Sequence, residues 1–77
     1  MSITIYTAPN CQPCRLTKRE FDRAGVSVNE TPLADVPAEQ IAAWKAQGLT
    51  SAPIVIAGDL IWSGMRPDML KRAIEGV

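Results

Sequence analysis

"ITIYTAPNCQPCRLTKREFDRAGVSVNE", Ile3 to Glu30, is the stretch whose reading decides the fold of this chain. It opens on a β-branched and aromatic run, Ile3 to Tyr6, that "TAPN" brings to an end, the pattern of a strand entering a turn. From Gln12 to Ala24 apolar or small residues recur at helical spacing: Cys14, Thr17, Phe21 and Ala24, with Leu16 beside them. Gly25 then supplies a left-handed stop. The remaining positions carry Arg15, Lys18, Arg19, Glu20, Asp22 and Arg23, and the spacing lets Lys18 meet Asp22 and Glu20 meet Arg23. Val26 and Val28 alternate with polar neighbours up to Glu30, which predicts a second strand over 26–30. A helix between two strands makes them parallel and joined by a right-handed crossover, a βαβ unit.

Downstream of "TPLADV", Pro37 fits the first turn of a second helix, with Ile41 and Trp44 on its buried side and Gly48 as its stop. The period there is blurred by Ala42, Ala43 and Ala46. "APIVIAGDLIWSG", residues 52–64, holds two apolar runs around Gly58-Asp59, a hairpin whose first turn position is glycine, as a type II′ turn requires. Pro67 opens a last helix with Met69, Leu70, Ala73, Ile74 and Val77 on one face. The order is βαβαββα, and joining the hairpin to the first sheet gives an α/β domain with a four-stranded mixed sheet flanked by three helices, the thioredoxin-like arrangement. Residues 1–77 read as one domain, since two cores shared among so few residues would each be too small to stand alone.

A chain of 77 residues sits near the lower limit for folding without disulfides or a structural metal. One bridge between cysteines three apart adds only about 2 kcal/mol by the chain-entropy rule. The fold therefore rests on its apolar content of 47%, and the cysteines point to chemistry. Eight basic residues balance eight acidic ones and histidine is absent, which excludes a broad field for nucleic acid or an anionic membrane. "MSITIY" has no basic region followed by a long apolar one, and no apolar run reaches about 18 residues, so neither a signal peptide nor a membrane span is expected. The expectation is a cytoplasmic monomer, in a compartment where close cysteine pairs are catalytic or metal-binding more often than structural.

Cys11 and Cys14 at a helix start face the same side, with a Cα separation of about 5 to 6 Å that a disulfide tolerates. Cys11 is expected at the N-cap, where free N–H groups and the helix dipole favour a thiolate. Cys14, one turn further in, is expected to be more buried and less acidic. The asymmetry makes Cys11 the nucleophile and Cys14 the resolving thiol of a disulfide exchange. A zinc site wants four ligands, and this chain has two thiolates and no imidazole, so a metal would have to be shared between two copies. An inert structural bridge is the third reading; it stabilises little and would be reduced in the cytoplasm.

"ITIYTAPNCQPCRLTKREFDRAGV" resembles the opening of glutaredoxin-like proteins, and "APIVIAGDLIWSGMRPDML" resembles the second half of the NrdH-redoxins. The resemblance covers essentially the whole chain, and "WSGxRPD" after an "APIV" strand is its most particular part. It implies a thioredoxin fold, no bound cofactor or metal, electrons drawn from NADPH by way of thioredoxin reductase, and class Ib ribonucleotide reductase as the acceptor. It implies the same roles for Cys11 and Cys14, and a cis bond before Pro53, with Ala52 presenting backbone groups to an extended substrate. A trans proline at the head of an edge strand is the alternative for Pro53. Gln12 and Pro13 between the cysteines, and Trp62, Ser63, Gly64, Met65 and Arg66 of the signature, are expected to shape the partner-facing surface, with Pro67 and Asp68 structural.

Glutathione use is the nearest rival function. Glutaredoxins that bind the tripeptide usually carry paired glycines and an acidic residue ahead of the last helix, where this chain has "SGMRPD". Met65 and Arg66 replace part of such a site. Ala8 stands where NrdH-type sequences commonly have a basic residue, and Pro13 where they have glutamine, which leaves Arg15 as the candidate cation for Cys11. Met65 stands where an aromatic residue is usual and is expected to fill the same apolar gap. The first strand offers no carboxylate to take the proton of Cys14, which leaves solvent or substrate. The basic excess of the first helix reads as a solvated face, and Tyr6, Phe21, Trp44, Met69 and Leu70 as core.

Overall fold

The computed structural model describes residues 3–76. Its elements are β1 (Ile3–Thr7), α1 (Gln12–Arg23), β2 (Asn29–Pro32), a 3-10 turn (Leu33–Asp35), α2 (Ala38–Ala46), β3 (Ile54–Ala57), β4 (Leu60–Ser63) and α3 (Pro67–Glu75). The strands form one mixed sheet in the order β2-β1-β3-β4. β1 runs parallel to β2 and antiparallel to β3, and β3 antiparallel to β4. This is a thioredoxin fold.

Period-two alternation sends Ile3, Ile5 and Thr7 of β1 to one face. There Ile3 and Ile5 join Val55 and Ala57 of β3, Trp62 of β4, Phe21 of α1, and Leu70 and Ala73 of α3 in one core. α1 and α3 thus cover the same side of the sheet, and Phe21, fully buried, fixes α1 to it. On the other side Tyr6 meets Trp44 of α2 at a ring-centroid distance of 5.0 Å and a tilt of 54°. Trp44 is the one buried residue of α2, so this small helix is held by an aromatic pair rather than by a continuous apolar stripe.

Most local readings stand, with physical reasons for those that shift. Gly25, at φ +74°, ends α1: its N–H donates to the Asp22 carbonyl at 3.0 Å and that of Val26 to the Phe21 carbonyl at 2.9 Å, the paired closure that a left-handed residue permits. Ala24 is the exposed C-cap rather than part of the buried stripe. Because Val26 closes α1, the strand expected over 26–30 starts only at Asn29, where pairing with Thr4 begins. Val26 and Val28 instead pack against the core from the connecting segment. Lys18 pairs with Glu30 at 2.7 Å and not with Asp22, while Glu20 and Arg23 meet at 3.7 Å as expected. Gly58 has φ +60° at the first position of the β3–β4 turn, as the type II′ reading requires. Val77, expected on the buried face of α3, lies outside the described residues.

Candidate active site

β1 ends at Thr7 beside the parallel edge strand, and the next four residues carry the chain to the start of α1. Asn10 adopts φ +54°, a conformation that asparagine tolerates better than most side chains. Cys11 follows in extended geometry as the N-cap of α1, with φ −104° and ψ 107°. Its sulfur accepts a hydrogen bond from the backbone N–H of Cys14 at 3.1 Å, which satisfies one of the donors every helix start leaves open. Pro13 is the second helical residue and has no N–H to add. Cys11 and Cys14 are disulfide-bonded, with their Cα atoms 5.3 Å apart. Cys11 is half-buried, whereas Cys14 is only 3% exposed.

The expected cation does not fold back onto Cys11. The Arg15 guanidinium donates to Oε1 of Gln12 at 2.8 Å on the exposed side of α1, which ties both side chains to each other. Ala8 brings no charge of its own. The group that meets the Cys11 sulfur is therefore a backbone N–H of the helix start itself.

The peptide bond before Pro53 is cis. Pro53 is fully buried at the head of the central strand β3, and its carbonyl accepts from the N–H of Gly64 at 2.8 Å, tying the signature segment to the proline turn. Among the described residues, the backbone groups of Ala52 have no backbone partner outside the strands. Ser63 ends β4 opposite Ile54, and Met65 packs against the core. The Met65 sulfur accepts from the fully buried hydroxyl of Thr17 at 3.5 Å.

Two signature residues differ from the expectation of a partner-facing surface or add to it. Trp62 is only 2% exposed: in register with Val55, its ring points into the core, and its indole N–H has no hydrogen-bond partner among the described residues. It supports the segment from beneath instead of lining its surface. Arg66 forms a fork with Asp68, with Nε to Oδ1 at 3.2 Å and Nη2 to Oδ2 at 3.1 Å. The hydrogen bond from Arg66 holds the Asp68 carboxyl below its ordinary value. Pro67 occupies the first position of α3, where its missing N–H costs nothing, and Asp68 follows in the first turn, where the helix dipole favours it.

One cluster beside the site has no counterpart in the sequence reading. The buried Thr7 hydroxyl donates to Oε2 of Glu30 at 3.1 Å, and Lys18 reaches Oε1 of the same carboxylate. The Lys18 hydrogen bond is the main reason the Glu30 carboxyl lies below its ordinary value, with Thr7 adding to it and burial opposing. Because the three residues come from β1, α1 and β2, no local spacing announces them. No three metal-ligating side chains cluster among the described residues, and no helix there is long and apolar enough to cross a membrane.

A cysteine pair at the first turn of the helix after β1, in a thioredoxin fold that also holds a cis-proline, defines a dithiol–disulfide oxidoreductase. The glutaredoxin family model matches residues 3–62. The glutaredoxin-like protein NrdH of Escherichia coli strain K12 is 47% identical over 72 residues, which span 94% of this chain and 88% of that protein. The NrdH of Lactococcus lactis subsp. cremoris is 27% identical over 91% of this chain and 96% of its own length. Among solved structures, the Escherichia coli NrdH-redoxin superposes with a TM-score of 0.81 at 47% identity, covering 94% of this chain and 93% of its own. The thioredoxin-like protein BC3987, at 22% identity, covers 94% of this chain and 99% of its own with a TM-score of 0.75, a likeness of fold. The chain belongs to the glutaredoxin family, and within it to the NrdH-redoxins.

Proposed function

We propose that this redoxin takes electrons from NADPH through thioredoxin reductase and delivers them to protein disulfides in the cytoplasm, that of class Ib ribonucleotide reductase first among them. The Cys11 thiolate attacks one sulfur of the substrate disulfide, forms a mixed disulfide and expels the other sulfur as a thiolate. Cys14 gives its proton to solvent or to that departing thiolate and attacks Cys11. The substrate leaves as a dithiol, two electrons have passed to it, and the Cys11–Cys14 bridge is formed. The greater exposure of Cys11 and its N-cap hydrogen bond support this division of roles.

An extended substrate segment would pair with the free backbone groups of Ala52 beside Pro53, while Gln12, Pro13, Ser63, Gly64, Met65 and Arg66 frame it. Met65 and Arg66, standing where part of a glutathione site would be, carry the choice of a protein donor over glutathione. The carboxylate at the start of α3 is paired with the Arg66 fork, and Met65 packs against α1 at Thr17. The Escherichia coli NrdH-redoxin is described as having a thioredoxin-like activity profile, which supports the same choice.

The test is a coupled assay on a protein disulfide with two electron sources. NADPH with thioredoxin reductase should sustain turnover that Cys11→Ser abolishes. Turnover with glutathione and glutathione reductase, and none with thioredoxin reductase, overturns the proposal and leaves a glutathione-dependent glutaredoxin.

A further inference from the structure

The Met65 thioether takes no part in the bond-making steps of the exchange, although the residue lies in the segment that frames the substrate. Its sulfur accepts the Thr17 hydroxyl at 3.5 Å, and Thr17 lies on the buried stripe of α1 that also carries Cys14. Its backbone follows Gly64, whose N–H is bonded to the Pro53 carbonyl. The thioether therefore touches the cysteine helix on one side and is anchored to the proline turn on the other. Met65 is also half-buried and lines, with Glu20 of α1 and Pro67, Leu70, Lys71, Ile74 and Glu75 of α3, an open groove of about 620 Å³, which gives a small solute access to it. Met69, half-buried against the same core as Met65, does not line that groove.

We propose that Met65 is a modification site for hydroperoxides, whose reversible oxidation to the sulfoxide slows disulfide exchange at Cys11–Cys14. A sulfur lone pair attacks one peroxide oxygen, the O–O bond breaks and an S–O bond forms. Sulfur gives up two electrons, and the second oxygen leaves as water, or as an alcohol from an organic peroxide. A thiol-driven methionine sulfoxide reductase returns the thioether and releases the oxygen as water. The sulfoxide places a polar, chiral group against Thr17, Leu70 and Ile74, where the flexible apolar side chain had packed. Seating the added oxygen displaces the segment 63–67 from its packing, and the Gly64 contact to Pro53 shifts with it.

The experiment treats the disulfide form with hydrogen peroxide, which leaves the paired cysteines protected, then quenches, reduces and maps the methionine peptides. Met65 should gain one oxygen before Met69 does. The thermal midpoint should fall by up to about 4 °C, the scale for placing a polar group at a half-buried position in a domain of this size. The rate of reduction of a protein disulfide should drop, by up to about 100-fold if the turn moves on the order of 1 Å. Both changes should reverse with methionine sulfoxide reductase. Met65→Leu, whatever its starting rate, should lose the peroxide response, and Met69→Leu should keep it. Oxidation of Met69 first, an unchanged midpoint and rate in the Met65 sulfoxide, or a full response in Met65→Leu would each overturn the proposal.

Discussion

Replacing Pro13 by alanine tests how the start of α1 activates Cys11. An N-cap side chain is served by the N–H of the second or third helical residue, and here the third, Cys14, already donates to the sulfur at 3.1 Å. The second is Pro13, which has nothing to donate. Alanine keeps the helix and adds that donor. One further hydrogen bond to a charged acceptor is worth about 1.5 kcal/mol. At a pH where Cys11 is ionised it favours the thiolate, hence the reduced form, and moves the couple by up to about 30 mV toward a more oxidising potential. While Cys11 is mostly protonated, the same energy raises the thiolate fraction about tenfold. The less basic sulfur is a weaker nucleophile, which takes back about half of that gain on a logarithmic scale, so the rate of attack should rise about threefold. Proline also restricts the unfolded chain, and its loss should cost about 0.4 to 1 kcal/mol of stability. Equilibration against glutathione redox buffers gives the potential, and stopped-flow reduction of a disulfide reporter gives the rate. A potential that stays put or becomes more reducing, together with slower attack, would refute the view that backbone donors at this helix start control the sulfur.

Two further predictions concern what holds the site in place. Phe21→Ala should cost about 3 to 5 kcal/mol, because the ring is fully buried between α1 and the sheet. That is a large part of the roughly 4 to 12 kcal/mol that 77 residues provide. A urea unfolding curve showing a loss below about 1.5 kcal/mol would mean that α1 is anchored elsewhere. Glu30→Gln should remove a stabilisation of about 0.2 to 1 kcal/mol, small because Lys18 and Glu30 are 39% and 43% exposed. The Glu30 carboxyl is depressed in the folded state, so its contribution is present above the unfolded value and is lost as the pH falls through the folded one. The gap between the parent protein and the variant should therefore be widest near neutral pH, close in acid and narrow with salt. A gap independent of pH would show that the carboxylate charge is not what stabilises.

Much of the site was legible because its parts are local. The strand, the turn, the N-cap cysteine and the partner one helical turn later lie within a dozen residues, and caps and i, i+3 spacing are properties of short segments. The same holds for the glycine at the hairpin turn and for Pro67 at the start of α3, where φ and the missing N–H decide the outcome without help from distant chain. Even the cis bond before Pro53 was expected from resemblance, although nothing in its own neighbours demands it.

What the sequence alone determined was therefore the element order, the cysteine pair and its polarity, and the family. Tertiary structure decided where side chains with two possible environments went. Trp62 turned inward because its register with Val55 puts it on the covered face of the sheet. Val26 was drawn into closing α1, which delayed the second strand. Lys18 left its helical neighbour Asp22 for Glu30, a carboxylate already held by Thr7. Met65 found the one buried hydroxyl of α1 across the gap between two elements. Each of these rests on contacts between segments far apart in the chain, whose geometry exists only once the sheet has brought them together.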